Sequence, residues 1–373
     1  MTVTQRPDTY SLTSTIKDFI IASSTGISFE VLAGAVSILQ ESYVPDSSGN
    51  IYIRDLGKLF ENYLSGELAT GPQTEISKTF SFKINNTASG STTVLYCKAY
   101  TLQEASVFFD SKALNLQYRS KVTIPTAREF ITFYMTTEEP VQAKVIYLEN
   151  NVIVESDLET FHTVLADGFE TFEITLRKIC LLFPDIESSS ILGFYVGQLE
   201  YYVKYLLDRE SYIDARTFIF LNSFGVPETL ITRGEMIRKG ALSFDSSKID
   251  HVEKRFNIEH QDTFTASIGK VYSSADILLL RELVASELVK CFYKGEYREI
   301  VISEVDLAEN QRRGAITSAG FTFKFAEQSH NMMLIDSTWA LESGAWSDPG
   351  DWLDAGPWND DPEIVYGSQG AGL

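Results

Sequence analysis

Four histidines, three cysteines and 51 acidic residues are the side chains through which this 373-residue chain could do chemistry. Nucleophilic catalysis in its common forms needs a histidine held against a serine or cysteine, with a carboxylate behind it. His162, His251, His260 and His330 stand in no such context. The chain has no Gly-x-Ser-x-Gly elbow, no His-Glu-x-x-His pair, no phosphate loop and no dinucleotide-binding glycine pattern. Each histidine therefore reads as a surface or core residue. Glycoside hydrolysis requires only two carboxylates at a set separation, so the acidic residues leave that chemistry open. Adjacent acids such as Glu138-Glu139 read as solvated charge. Cys97, Cys180 and Cys291 are odd in number and widely spaced, which fits neither a disulfide framework nor a zinc site; they read as buried thiols. Asp348, Asp351 and Asp354 offer hard oxygen ligands at every third residue, but the calcium-loop pattern is absent, and they read as a solvated rim. The expectation is a protein that is not an enzyme and uses no cofactor or metal.

All four tryptophans, Trp339, Trp346, Trp352 and Trp358, fall in the C-terminal segment. Three of them close a repeated x-acid-x-Gly-x-Trp unit: Leu341 to Trp346, Ser347 to Trp352 and Leu353 to Trp358. No Lys or Arg follows Lys324, whereas nine acids do, from Glu327 to Glu363. A six-residue period rich in Gly and Pro suits neither helix nor strand, so residues 329–373 are expected to form an extended, acidic, turn-rich arm. Exposed tryptophan implies a surface that docks it. That surface is the chain's own body, another subunit, or a carbohydrate, and the four tryptophans are the expected partner-binding residues.

The elements that would carry these residues are mostly strands. Apolar side chains alternate at Phe80/Phe82/Ile84, Phe172/Ile174/Leu176, Tyr201/Val203/Tyr205, Phe264/Ala266/Ile268 and Phe321/Phe323/Phe325, the mark of half-buried strands. Two helices are expected, at 55–65 and 274–286. The first carries Leu56, Leu59, Phe60, Tyr63 and Leu64 on one stripe, with Gly66 as its stop. The second opens on Ser273 or Ser274, with Ser273 and Asp276 as a capping box. Turn signals at Val44 to Asn50 and at Asn85 to Gly90 are expected to join strands as hairpins. The fold class that follows is mainly β: several consecutive β-sandwich or barrel-like domains with two short bracing helices and the acidic arm. The expected units are 1–118, 119–210, 211–328 and 329–373.

The formal net charge of -20 disfavours binding to phosphate backbones or to an anionic membrane. The polar N-terminus lacks a secretory pattern, and the weakly polar stretch from Phe19 to Leu39 is interrupted by Glu30, Gly26 and Gly34. Synthesis in a cytoplasm and no membrane insertion are expected.

Three stretches carry a family resemblance. Ile27-Ser28-Phe29-Glu30-Val31-Leu32 through Glu41-Ser42-Tyr43-Val44-Pro45-Asp46-Ser47-Ser48-Gly49-Asn50-Ile51-Tyr52-Ile53-Arg54-Asp55-Leu56 resembles N-terminal segments of tail-region structural proteins encoded by phages and prophages of Bacteroidetes bacteria. Thr217-Phe218-Ile219-Phe220-Leu221-Asn222-Ser223-Phe224-Gly225-Val226-Pro227-Glu228-Thr229-Leu230 is similar to a later segment of those proteins, and Ala319-Gly320-Phe321-Thr322-Phe323-Lys324-Phe325-Ala326-Glu327 to their closing strand. The resemblance implies a virion component assembled into a tail ring, collar, connector or baseplate. Its partners would be copies of itself and neighbouring virion proteins, with DNA passing through a conduit without specific binding. It brings no catalytic residues, and the tryptophan arm is not part of the pattern. The competing readings are a carbohydrate- or receptor-binding β-module and a glycan-cleaving enzyme.

Overall fold

The computed structural model describes residues 1–327 apart from 100, 102, 111–112, 116–119, 136–139, 163–166, 199–200, 213–214, 250–251, 270, 272–273 and 308–318. The expected arm and its four tryptophans lie outside the described residues, as do His251, His330, Glu138, Glu139, Ser273 and the Asp348, Asp351 and Asp354 series. By its contact pattern the chain divides into two units, Met1–Arg238 with Phe264–Ala326, and Lys239–Thr263 with the segment from Glu327 onward.

The larger unit is built from stacked sheets. Near the N-terminus, a three-stranded sheet (Thr2–Gln5, Phe19–Ala22, Asn50–Ile53) and a five-stranded sheet share one core. The latter runs in the order Tyr10–Leu12, Thr87–Leu95, Ser77–Ile84, Ile27–Ala33, Val36–Tyr43. Phe19, Ile21, Ile51 and Ile53 supply one side of that core, and Phe29, Val31, Phe80 and Phe82 the other. Period-two alternation is the cause, since it places each strand's apolar set on a single face. Helix α1, Leu56–Glu61, inserts Leu56 and Phe60 into the same core, with Phe60 stacked on Phe80 at 4.1 Å between ring centroids.

A second sandwich follows. Strands Glu129–Met135 and Gly168–Ile174 pair across Ile131 and Phe172, and their apolar face meets a six-stranded sheet through Val141, Ala143, Val145, Phe194, Val196 and Tyr205. The third part contributes to a seven-stranded sheet in the order Pro227–Thr232, Arg216–Leu221, Val289–Tyr293, Glu296–Leu307, Ala319–Phe325, Val252–Ser267, Met236–Ile249, of which residues 239–263 are assigned to the second unit. Helix α3, Ser274–Ala285, covers its core through Ile277, Leu280 and Leu283, which join Phe218, Phe264, Phe321 and Phe323.

The mainly β architecture of several sheets agrees with the sequence reading, and four details correct it. A third helix, α2 at Leu176–Leu182, takes Leu176 out of the preceding strand. Thr175 caps it, its side-chain oxygen accepting from the Lys178 N–H at 3.2 Å, and Ile179 is buried. The apolar spacing 176, 179, 180, 183 is helical, and the shared residue Leu176 concealed it within the strand alternation. Helix α1 stops at Glu61, well before residue 65 and Gly66. The turn from Val44 to Asn50 is tight, with Asp46 Oδ1 accepting from the Ser48 and Asn50 N–H groups at 2.8 Å each, but it is not a hairpin. It carries the chain from the five-stranded to the three-stranded sheet. Cys180, finally, is half-buried, while Cys97 and Cys291 are buried.

True two-residue hairpins occur at Asn85-Asn86, Asn150-Asn151 and Lys294-Gly295, where both turn residues have positive φ as a type I′ turn requires. Gly66 serves a different purpose from a helix stop. A Cβ there would meet the Gly225 carbonyl oxygen at 1.9 Å, so two loops far apart in sequence touch backbone to backbone. Gly66→Ala is expected to destabilise the body by about 1–3 kcal/mol through overpacking, read as a lower urea midpoint at unchanged slope.

Candidate functional site

Charged side chains are buried only where they find partners, and one such place stands out in the larger unit. Lys121, on strand Ser120–Thr123, is 8% exposed; Glu129, at the start of Glu129–Met135, is 1%; Glu228, on Pro227–Thr232, is 3%. Lys121 Nζ donates to Glu228 Oε1 at 2.7 Å and lies 2.7 Å from Glu129 Oε2. Asn115 completes the group, its Nδ2 donating to Glu228 Oε2 at 2.8 Å and to the Pro227 carbonyl at 2.9 Å. Its Oδ1 accepts from the Thr132 N–H at 2.8 Å. Glu228 Oε1 also accepts from the Thr229 N–H at 3.1 Å.

The two glutamates are not equivalent. Glu228 has both oxygens engaged by several donors, whereas Glu129 depends on Lys121, whose Nζ lies 2.7 Å from its Oε2. Burial, outweighing the attraction of Lys121, raises the Glu129 carboxyl above the ordinary carboxylate range. Burial also acts to lower the Lys121 ammonium, but Glu129 and Glu228 overcome it and raise it. Tyr205, buried behind them, has its phenol pushed well above the usual value by desolvation and then by both glutamates.

Two facing carboxylates are what glycoside chemistry uses, yet this pair is sealed from solvent and shares one ammonium. A saccharide cannot reach it. What the arrangement does is join strands from consecutive parts of the chain, from Asn115 through Lys121 and Glu129 to Glu228. Further polar ties run between the first and third parts. Lys98 Nζ donates to Glu287 Oε1 at 2.6 Å, and within the third part Glu282 Oε2 accepts from both the backbone N–H (2.7 Å) and the hydroxyl (2.6 Å) of Ser223. An apolar cluster of Leu12, Ile76, Cys97, Phe169, Phe224 and Val226 draws on all three parts.

Of the residues singled out in the sequence, His162 is half-buried, its Nε2 3.6 Å from Glu170 Oε1 and its ring 4.7 Å from that of Phe172. His260 lies on strand Val252–Ser267. Burial drives the Cys97 thiol up to about 11 and Cys291 to about 12, and raises Cys180 as well, so none is a ready thiolate at neutral pH. Among the described residues no cluster of His, Cys, Asp or Glu is placed to hold a metal ion, and no helix is long and apolar enough to cross a membrane. The Lys121 group was missed in the sequence. Its signal was a charge inside an apolar strand, as in Glu129-Phe130-Ile131-Thr132-Phe133 and Pro227-Glu228-Thr229-Leu230.

Sheets locked by a buried polar node define a multi-sheet β scaffold. The chain matches no family model, no curated protein and no solved structure.

Proposed function

We propose that this chain is a structural subunit of a bacteriophage tail, connector or baseplate ring, made in the host cytoplasm and acting in the virion through subunit-subunit contacts. The observation that carries the reading is the hairpin of Met236–Ile249 and Val252–Ser267. Its strands run 14 and 16 residues, beyond the ~3–10 usual in globular proteins. Residues 239–263 of this hairpin belong to the smaller of the two units, and no side chain described there is buried.

A two-stranded ribbon is at best marginally stable in water, so such a ribbon is suited to being covered by a neighbour. Phe244 is 39% and Val252 58% exposed, and Met236–Ile249 is an edge strand of its sheet among the described residues. Edge strands offer unpaired N–H and C=O groups to a further strand. The family resemblance at 27–56, 217–230 and 319–327 points to the same role, as does the acidic charge. A negative wall repels passing DNA and avoids the counterion-release affinity that would trap it.

The tryptophan arm supplies a second contact to neighbouring subunits in this reading, through Trp339, Trp346, Trp352 and Trp358. Truncation after Gln328 is expected to leave near-ultraviolet circular dichroism of the body intact and to deplete the higher bands of a cross-linking ladder. An undiminished ladder would remove the arm from the assembly, and loss of the folded signal would show that it packs on its own body.

A further inference from the structure

A groove of about 810 Å³ opens in the larger unit, a size in the range of ligand pockets, roughly 300–1,000 Å³. Four aromatic rings run through it without a break. Tyr10 stacks on Phe109 at 4.5 Å and 29°, Phe109 meets Tyr134 at 5.6 Å and Phe169 at 5.3 Å, and Tyr134 meets Phe169 edge-on at 5.1 Å. Phe169 is buried and forms part of the base, Phe109 and Tyr134 are half-buried, and Tyr10, 40% exposed, forms the rim.

The polar groups are those that read hydroxyls. His162 and Glu170 sit 3.6 Å apart, Asp167 is exposed at the rim, and the Thr79 and Thr93 hydroxyls are 3.0 Å from one another. Lys78 also lines the groove, but its Nζ is held by Glu75 Oε2 at 2.5 Å and by the Tyr63 carbonyl at 2.9 Å. The remaining charge is therefore acidic, which repels phosphate, sulfate and uronate ligands.

We infer that this groove binds a neutral oligosaccharide, with a pyranose ring stacked on the Tyr10–Phe109 pair and its hydroxyls held by Asp167, Glu170 and His162. The axial C–H groups of a pyranose are weakly positive and fit the negative face of an aromatic ring, while carboxylates and imidazole satisfy the hydroxyls that the stacked ring leaves outward. The inference stands independently of ring assembly, because it rests on a different surface and a different chemistry.

The test applies the full chain to an array of neutral and anionic glycans and titrates the strongest neutral binder by calorimetry. Tyr10→Ala and Asp167→Asn are exposed-site variants whose folding is checked by their melting temperature. At least tenfold weaker binding by Tyr10→Ala, and a measurable loss by Asp167→Asn, is the expected result. Absence of any neutral binder, binding confined to anionic glycans, or neutral binding unchanged in both folded variants would overturn it.

Discussion

Replacing Lys121 by methionine should cost about 3–5 kcal/mol, the effect of stranding buried charge by removing one partner. That is a large share of a typical net stability of about 5–15 kcal/mol, so the variant should melt at much lower temperature or fail to accumulate. The physical reason is specific. Methionine fills the volume of the lysine stem but leaves Glu228 Oε1 without its 2.7 Å donor and leaves Glu129 with no opposite charge beside it. A rescue separates charge from packing: Lys121→Met combined with Glu129→Leu and Glu228→Gln should recover most of the loss in urea titration, because apolar replacements of buried ion clusters are often neutral.

Glu129→Gln should behave in the opposite sense from Lys121→Met. Because burial holds the Glu129 carboxyl above its ordinary range, its contribution to stability is complete below the unfolded value of about 4.3 and is lost as pH rises through the folded value. Glutamine imitates the protonated form at every pH. The variant's stability relative to wild type should therefore grow as the pH rises above about 4, measured as urea midpoints at successive pH values; a constant difference would show that Glu129 carries its charge in the fold without cost.

The second large effect concerns the hairpin. Replacing residues 242–260 by an Asn-Gly turn, which favours the type I′ geometry, should leave the melting temperature of the body within a few degrees of wild type and convert assemblies to monomers. Among the residues whose side chains are described, the body's own cores, from Phe19 to Phe323, draw none from 242–260. A shortened chain that still forms full assemblies would assign the contacts to another surface.

How much of this was legible in the sequence follows from which forces are local. Alternation at Phe80/Phe82/Ile84 and Phe321/Phe323/Phe325 reported strands faithfully, because one face of each is buried whatever the neighbour is. The pairing of strands was not legible at Val44 to Asn50, where a turn that looks like a hairpin joins different sheets. Nor were Lys121, Glu129 and Glu228, since what unites them is contact across more than a hundred residues of chain. The aromatic groove is a similar case: Tyr10, Phe109, Tyr134 and Phe169 are unremarkable singly and meet only in the fold.

The most direct test of the assembly reading is the mass of the purified full-length chain in solution, by sedimentation velocity or light scattering at physiological salt. A single closed oligomer whose mass is an integral multiple of 41.8 kDa is the expected result. A monomer that persists as the protein is concentrated would contradict it.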